Sequence, residues 1–251
     1  MECRFDIKKF EKNYSIILPV LYIVHSNPFY KEFATDIKCY LYRAIFFNYF
    51  GAGNTNNKLS ILKQAIDSNN GTITIKTLDS MEAFRITTSK LDEITNSQKS
   101  SITENILHYL NIENNIYNTM TDVTVYNNIG IEPTLRIQSI YPEKIFQDSS
   151  KRPSGMSHGK WFNWRAIQSR LPNLALLPDD SGYKNYMTTA EYTRDMTEQQ
   201  RSQFMQKAFI PSDATLELRD FDEFYDARKK LLTNKISQLM KEGKLLDSSG
   251  I

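Results

Sequence analysis

Two stretches decide the fold of the second half of this chain: LRIQSIYPEKIF (135–146) and RLPNLALLPDDSGYKNYM (170–187). The first has the apolar and β-branched content of a short strand over 135–141, and NLALL (173–177) has the same character. We therefore expect two short strands that are set among helices.

Helical patterns lie on both sides of these strands. The stretch 28–50 begins at Pro28, stops before Gly51 and repeats apolar and aromatic residues at helical spacing on more than one face, which predicts a central helix. TITIK (72–76) alternates like a strand. The predicted helices cover 14–24 (as a buried helix), 28–50, 59–66, 106–110, 198–209 and about 220–241.

Four residue pairs have the spacing of a capping box, in which Ser, Thr or Asp precedes Glu or Gln by three positions. They are Asp79 and Glu82, Ser101 and Glu104, Thr197 and Gln200, and Asp220 and Glu223.

Residues 111–134 are rich in Asn and Thr and end near Gly130 and Pro133, which is typical of a connection. We expect a helical domain over 1–125 and a second domain over 126–251. The fold class is α+β and predominantly α-helical, with a helical N-terminal half, a small insert that holds the two strands, and C-terminal helices.

Composition limits the functions of the chain. The 251 residues are 40% hydrophobic and carry a net charge of +2, so any nucleic-acid surface has to be a local patch. Cys3 and Cys39 are too few for a disulfide framework or a zinc ribbon. The apolar run 14–24 contains Pro19 and is too short to span a bilayer. With no signal-peptide pattern at the N-terminus, we expect a cytoplasmic protein without membrane contact.

Basic residues concentrate between 136 and 170. The candidate DNA-binding residues are Lys151, Arg152, Lys160, Arg165 and Arg170. They attract phosphates, and the aromatics Trp161, Phe162 and Trp164 in the same stretch can stack on bases. The alternative is that WFNWRAI begins a helix whose aromatics enter the core.

Other chemical signals are weaker. GAGNT (51–55) lacks the Gly-Lys-Ser or Gly-Lys-Thr of a phosphate loop and is interpreted as a turn between helices. His25 and His108 lie in helical patterns among apolar residues, as structural histidines do. His158 differs because it lies in the polar segment SGMSHGKW, where it is a candidate for chemistry.

The order of the two opening stretches resembles the C-terminal HNH endonuclease domain of GmrSD-type restriction and phage-defence proteins. That family carries a strand ending in Asp-His-Ile-(Phe/Tyr)-Pro, then Asn-Leu-x-Leu-Leu, then a turn with an Asn and a nearby Lys. YRAIFFNYFGAG (42–53) and FDEFYDARKKLLTNKISQLM (221–240) resemble its flanking helical segments. The resemblance implies a small ββα-metal domain. We expect no cofactor for this chain, and Mg²⁺ only if it is active.

The chain departs from this family at the catalytic positions. Gln138 and Ser139 stand where the family has Asp and His, and Gly182 falls near the family Asn. The resemblance carries over Asn173 and Lys184 as further site residues, with Lys184 shifted by about one position. A serine hydroxyl is not basic at neutral pH, and an amide is a poorer ligand for a hard cation than a carboxylate.

Three functions remain open. The first is a catalytically impaired relative of the nucleases that acts through DNA or partner binding in a bacterial or phage restriction or defence system. The second is an active metal-dependent endonuclease whose site uses His158 with Asp148, Asp179 or Asp180. The third is an inhibitor, or a subunit for a nucleotide-dependent partner protein, that does not bind DNA.

Overall fold

The computed structural model describes residues 14–113, 135–178 and 187–245. By their internal contacts, the residues divide into two compact units. The first is Met1–Leu91 with Lys235–Ile251, and the second is Asp92–Asn234. The predicted boundary at 125/126 lies outside the described residues and stays a prediction. The contacts place residues 101–113, which we assigned to the first domain, in the second unit.

The described part of the chain is predominantly helical, as predicted, with one small antiparallel sheet of two strands. The helices before residue 114 are α1 (Leu18–Ser26), α2 (Ala34–Phe46), α3 (Thr55–Asp67), α4 (Ile75–Ser80), α5 (Thr88–Thr95) and α6 (Ser101–Glu113). Within the described ranges, no helix combines the length and the apolar composition that crossing a bilayer requires.

Helix α2 forms the buried centre of the first unit, as predicted from its aromatics, but it covers Ala34–Phe46 instead of the predicted 28–50. Every residue from Cys39 to Phe46 is buried. Among them, Arg43 is 0% exposed and donates to the carbonyl of Met240 (2.9 Å), the carboxylate of Asp79 (2.6 Å) and the carbonyl of Phe84 (3.2 Å). These bonds use most of the N–H groups of the guanidinium and connect α2 to the segments around it.

The predicted strand 72–76 is wrong, because Thr74 caps a helix instead. Its hydroxyl accepts from the backbone N–H of Thr77 (3.1 Å), and Asp36 accepts from the N–H of Ile75 (2.7 Å), so α4 begins at Ile75. Side-chain oxygens satisfy free N–H groups at the start of a helix, and this outweighs the weak alternation. Because α4 ends at Ser80, Asp79 and Glu82 do not form a capping box, and Asp79 pairs with Arg43.

Helix α1 forms where a helix was predicted, but it is not the buried helix that we expected. Pro19 and Ile23 are buried, whereas Leu18 and Leu21 are exposed. The run is apolar on all sides, and α1 packs against α3 on one side, so its other apolar residues face away from the core of the unit. GAGNT (51–55) forms the predicted turn between helices, and Asn54 caps α3.

The second unit contains strands β1 (Leu135–Ser139) and β2 (Leu174–Pro178), which confirms both strand predictions. They pair antiparallel, with Ser139 opposite Leu174 and Gln138 opposite Ala175. The helices that follow β1 are α7 (Glu143–Gln147), α8 (His158–Ile167), α9 (Thr189–Thr193), α10 (Glu198–Lys207) and α11 (Phe221–Glu242). The last residues of α11, from Lys235, belong to the first unit.

Two of the remaining predicted capping boxes are decided by the structure. Thr197 and Gln200 form both reciprocal bonds at the start of α10, as predicted. At α6 the box is shifted by one residue: Ser100 accepts from the N–H of Thr103 (3.3 Å), and its own N–H donates to the Thr103 hydroxyl (2.7 Å). The helix Phe221–Glu242 was predicted, and the Asp220 carboxylate before it accepts from the Thr215 hydroxyl (2.9 Å).

An aromatic cluster fills the core of the second unit. The side chains of Trp161 and Trp164 enter it from α8, which confirms the alternative that these aromatics are core residues. Phe146 and Phe221 lie against Trp164 with ring centroids 6.4 Å and 5.1 Å away, in the tilted and edge-on geometries that aromatic pairs prefer. Helix α8 is therefore anchored through one face only.

Candidate functional site

The end of β1 carries the residues that the sequence singles out as a degenerate catalytic position. Gln138 and Ser139 are both partly buried. An amide and a hydroxyl offer only neutral oxygens here, and neither is basic at neutral pH. These two residues do not fit the Mg²⁺ that the family resemblance implies, because a hard cation prefers carboxylate ligands.

Asn173 holds the end of β1 against the beginning of β2. Its side chain is 0% exposed; Oδ1 accepts from the N–H of Tyr141 (2.9 Å), and Nδ2 donates to the carbonyls of Tyr141 (2.9 Å) and Gln168 (2.7 Å). The Asn173 carbonyl also accepts from the N–H of Ile140 (2.8 Å). Both amide hydrogens are thus bound to backbone, and the side chain acts as a clamp on the turn that follows Ser139.

Arg228 of α11 fixes the turn in which Asn173 lies. The guanidinium is 0% exposed, and burial lowers its pKa to about 9, which leaves it charged at neutral pH. Its N–H groups donate to four backbone carbonyls. They belong to Ala208 (2.9 Å), Leu171 (3.0 Å), Pro172 (2.6 Å) and Leu174 (2.6 Å). The planar fork of the guanidinium holds five donors in fixed directions over two branches, whereas an ammonium has three donors on a single nitrogen.

Helix α9 contacts the same strand end from the other side of the turn. The Thr189 hydroxyl donates to the carbonyl of Ile140 (2.8 Å), and Thr188 and Glu191 form a capping box. Bonds from Thr188 hold the pKa of the Glu191 carboxyl below its usual range, and the charges of Lys151 and Arg194 act in the same direction. Lys151 and Arg194 are both exposed, and Arg194 lies at the C-terminal end of α9.

The five predicted DNA-binding residues differ in their surroundings. Lys151 and Arg165 are exposed, whereas Arg152 and Arg170 are partly buried. Lys160 forms an ion pair with Asp222 (2.7 Å) and lies over the Trp164 ring (5.4 Å to its centroid). Because Asp222 also accepts from the Trp164 indole (2.5 Å), Lys160 supports the packing of α8 as well as carrying charge.

The arrangement of aromatics on α8 separates core from surface. Trp161 and Trp164 are 5% and 1% exposed, but Phe162 between them is 67% exposed. His158 is the first residue of the helix and is exposed, with Ser157 capping the helix before it. His25 is exposed on α1 and His108 is partly buried on α6, in keeping with their interpretation as structural histidines.

Several predicted site residues are not brought together within the described residues. Asp179, Asp180 and Lys184 lie outside them, as does Gly182, and their predicted roles stay predictions. Asp148 accepts from the N–H and the hydroxyl of Ser150 (2.9 and 2.7 Å), which lowers the pKa of its carboxyl. In residues 14–113, 135–178 and 187–245, no three His, Cys, Asp or Glu side chains form a group that could hold a metal ion.

Sequence reasoning missed Arg228, Thr189 and the exposure of Phe162. Arg228 lies four residues after Phe224 and four before Leu232, both of which are buried, so helical spacing places it on the apolar face of α11. A charged residue on such a face was the available signal. For Phe162, the signal was its position between two core tryptophans, since adjacent residues of a helix point in different directions.

No family model matches the chain, and no curated protein matches its sequence.

Proposed function

We propose that the unit Asp92–Asn234 is a module related to HNH endonucleases that binds DNA without cutting it, within a bacterial or phage restriction or defence system. The observation that carries this proposal is the antiparallel pairing of LRIQS with LALLP. This pairing brings together the strands of the two stretches on which the family resemblance rests. By the sequence resemblance, Ser139 and Gln138 correspond to the imidazole and the carboxylate of the family.

The chemistry of Ser139 supports the loss of cutting. Phosphodiester hydrolysis needs a base that takes a proton from the attacking water, and the loss of such a base costs about two to four orders of magnitude in rate. Neither Ser139 nor Gln138 supplies it. The turn after Ser139 is held in place, because Asn173 binds both the backbone N–H and the carbonyl of Tyr141.

The charge distribution supports DNA as the partner. Between Asp148 and Asp179 the chain has no acidic residue, while this stretch contains the five basic residues singled out above. Lys151 and Arg165 are exposed and belong to different elements, the 3-10 turn Ser149–Lys151 and helix α8. Exposed basic side chains bind phosphates without regard to sequence and make binding depend on salt.

Charge reversal at Lys151 and Arg165 tests this function. We expect the unmodified protein to bind a labelled DNA fragment with an affinity that falls as salt rises, and to leave the DNA intact with Mg²⁺ or Mn²⁺. The Lys151→Glu, Arg165→Glu variant removes two phosphate contacts, so the slope of log affinity against log salt falls by about two. Fluorescence anisotropy over a salt series measures both quantities.

A matched control reverses the exposed residues Lys31 and Lys76 of the first unit, which changes the net charge equally. We expect this variant to keep the original slope. Absence of binding at low salt would contradict the proposal and favour an inhibitor or a partner subunit. Metal-dependent cutting that disappears in His158→Ala would favour the active nuclease instead.

A further inference from the structure

Helix α8 exposes to solvent the aromatic ring of Phe162, which takes no part in the core. Phe162 is 67% exposed, whereas Trp161 and Trp164 anchor the helix in the core. Successive helical residues are rotated by about 100°, so Phe162 lies well away from the buried face of these tryptophans. The core fixes the helix and leaves the Phe162 ring outside it.

The residues beside Phe162 leave the face of its ring accessible. On a helix, the positions three before and four after a residue are its neighbours, and here they are Gly159 and Ala166. Both are exposed, and a Cβ added at Gly159 would meet no atom within 4 Å. A planar ligand can therefore lie against the ring without displacing a large side chain.

The other helical neighbours of Phe162 are a guanidinium and an imidazole. Arg165 is three residues after it, His158 is four residues before it, and both are exposed. The carboxylate of Asp222 pairs with Lys160, which lies on another side of the helix from Phe162. An exposed aromatic ring beside a guanidinium, in a stretch without acidic residues, is complementary to a planar group carried on an anionic chain.

We propose that this face of α8, defined by His158, Phe162 and Arg165, binds single-stranded nucleic acid, with Phe162 stacking on a base and Arg165 contacting the phosphate backbone. This inference rests on the proposed DNA binding and deepens it by naming the form of the ligand. A duplex keeps its bases stacked on each other, so a ring on a helix surface cannot reach their faces. A single strand exposes those faces, and stacking tolerates any base.

Phe162→Ala tests the stacking. We expect its affinity for a labelled single-stranded 15-mer of thymidine to fall about tenfold, which is within the range measured for removal of one stacked aromatic. Affinity for a blunt duplex of the same length should change less than about twofold, since the phosphate contacts of Lys151 and Arg165 remain. Phe162→Tyr keeps a ring at this position and should retain single-strand affinity.

The matched control is Phe29→Ala, because Phe29 of the first unit is 66% exposed and removal of its ring loses the same apolar surface. We expect it to bind both DNA forms as the unmodified protein does. An unchanged single-strand affinity in Phe162→Ala overturns the inference, and so does an equal loss for both DNA forms. If neither form binds the unmodified protein, the proposed function fails as well. A salt slope that depends on Lys151 and Arg165, with no effect of Phe162, overturns the stacking alone.

Discussion

Replacement of Arg228 by methionine is expected to lower the free energy of unfolding of the unit Asp92–Asn234 by about 4 kcal/mol. Methionine has a side chain of similar reach but no hydrogen-bond donor. Four buried or partly buried backbone carbonyls then lose the guanidinium, and each unsatisfied group costs about 1–3 kcal/mol. Methionine is neutral, so the variant no longer bears the free-energy cost of burying a charge, and this offsets part of the loss.

Thermal and urea unfolding of the intact chain measure this effect. A loss of about 4 kcal/mol corresponds to a decrease in Tm of about 10 °C for a protein of this size. Arg228→Lys separates charge from geometry, because an ammonium keeps the charge but cannot bind the carbonyls of Leu171, Pro172 and Leu174 together as the fork does. We expect the free energy of unfolding of the lysine variant to lie between those of the methionine variant and the unmodified protein.

Arg219→Met is the matched control for the loss of a guanidinium. Its side chain is 75% exposed, with the Asp220 carboxylate 3.8 Å away. The free energy of unfolding should therefore change by no more than about 0.5 kcal/mol. If Arg228→Met costs less than about 1 kcal/mol, the guanidinium does not hold the turn 171–174, and the role that we assign to Arg228 is wrong.

The sequence predicted those elements whose signals are local. The strands at 135–141 and 173–177 were predicted from their residue types, and Thr197 with Gln200 predicted the start of α10 from a cap that forms within four residues. Such signals do not depend on the rest of the fold. The same reasoning failed at 72–76, where an alternating pattern and a Thr cap are equally local signals for a strand and for a helix. The helix forms there because Asp36, which is distant in the sequence, binds the N–H of Ile75.

Arg228 shows why the remaining contacts could not be predicted. It is followed by Lys229 and Lys230, and such a basic run is usually a solvated helix face. The carbonyls that satisfy it come from residues 171–174 and from Ala208, which are distant in the sequence. Only the folded chain brings them together, so no spacing rule on α11 reveals the partner of the charge.

The candidate site was predicted in part. Position 139 was singled out from the order of two motifs. The structure adds the contacts that hold the two residues after it, from Thr189 to Ile140 and between Asn173 and Tyr141. The basic stretch was visible as composition, but composition did not distinguish Lys160, which pairs with Asp222, from Lys151, which is exposed. That difference depends on which helix packs against α8.

Replacement of Asn173 by alanine is expected to lower the free energy of unfolding of the same unit by about 3 kcal/mol. The change leaves the buried N–H and carbonyl of Tyr141 without the amide and removes a donor from the Gln168 carbonyl. Asn173→Asp is nearly identical in size, yet it places carboxylate oxygens against two carbonyl oxygens. We expect the aspartate variant to be at least as unstable as the alanine variant, which a role in filling space would not predict.

Hydrogen exchange locates this effect on the strand end. In Asn173→Ala the N–H of Tyr141 loses its acceptor, so its protection should fall more than that of residues within α10. The control is Asn163, an exposed asparagine of α8, whose alanine and aspartate variants should stay within about 0.5 kcal/mol. Because Asn173 uses both amide hydrogens on backbone, DNA affinity measured well below the Tm should persist in Asn173→Ala. A loss of DNA binding without a loss of stability would instead make Asn173 a binding residue and contradict the clamp.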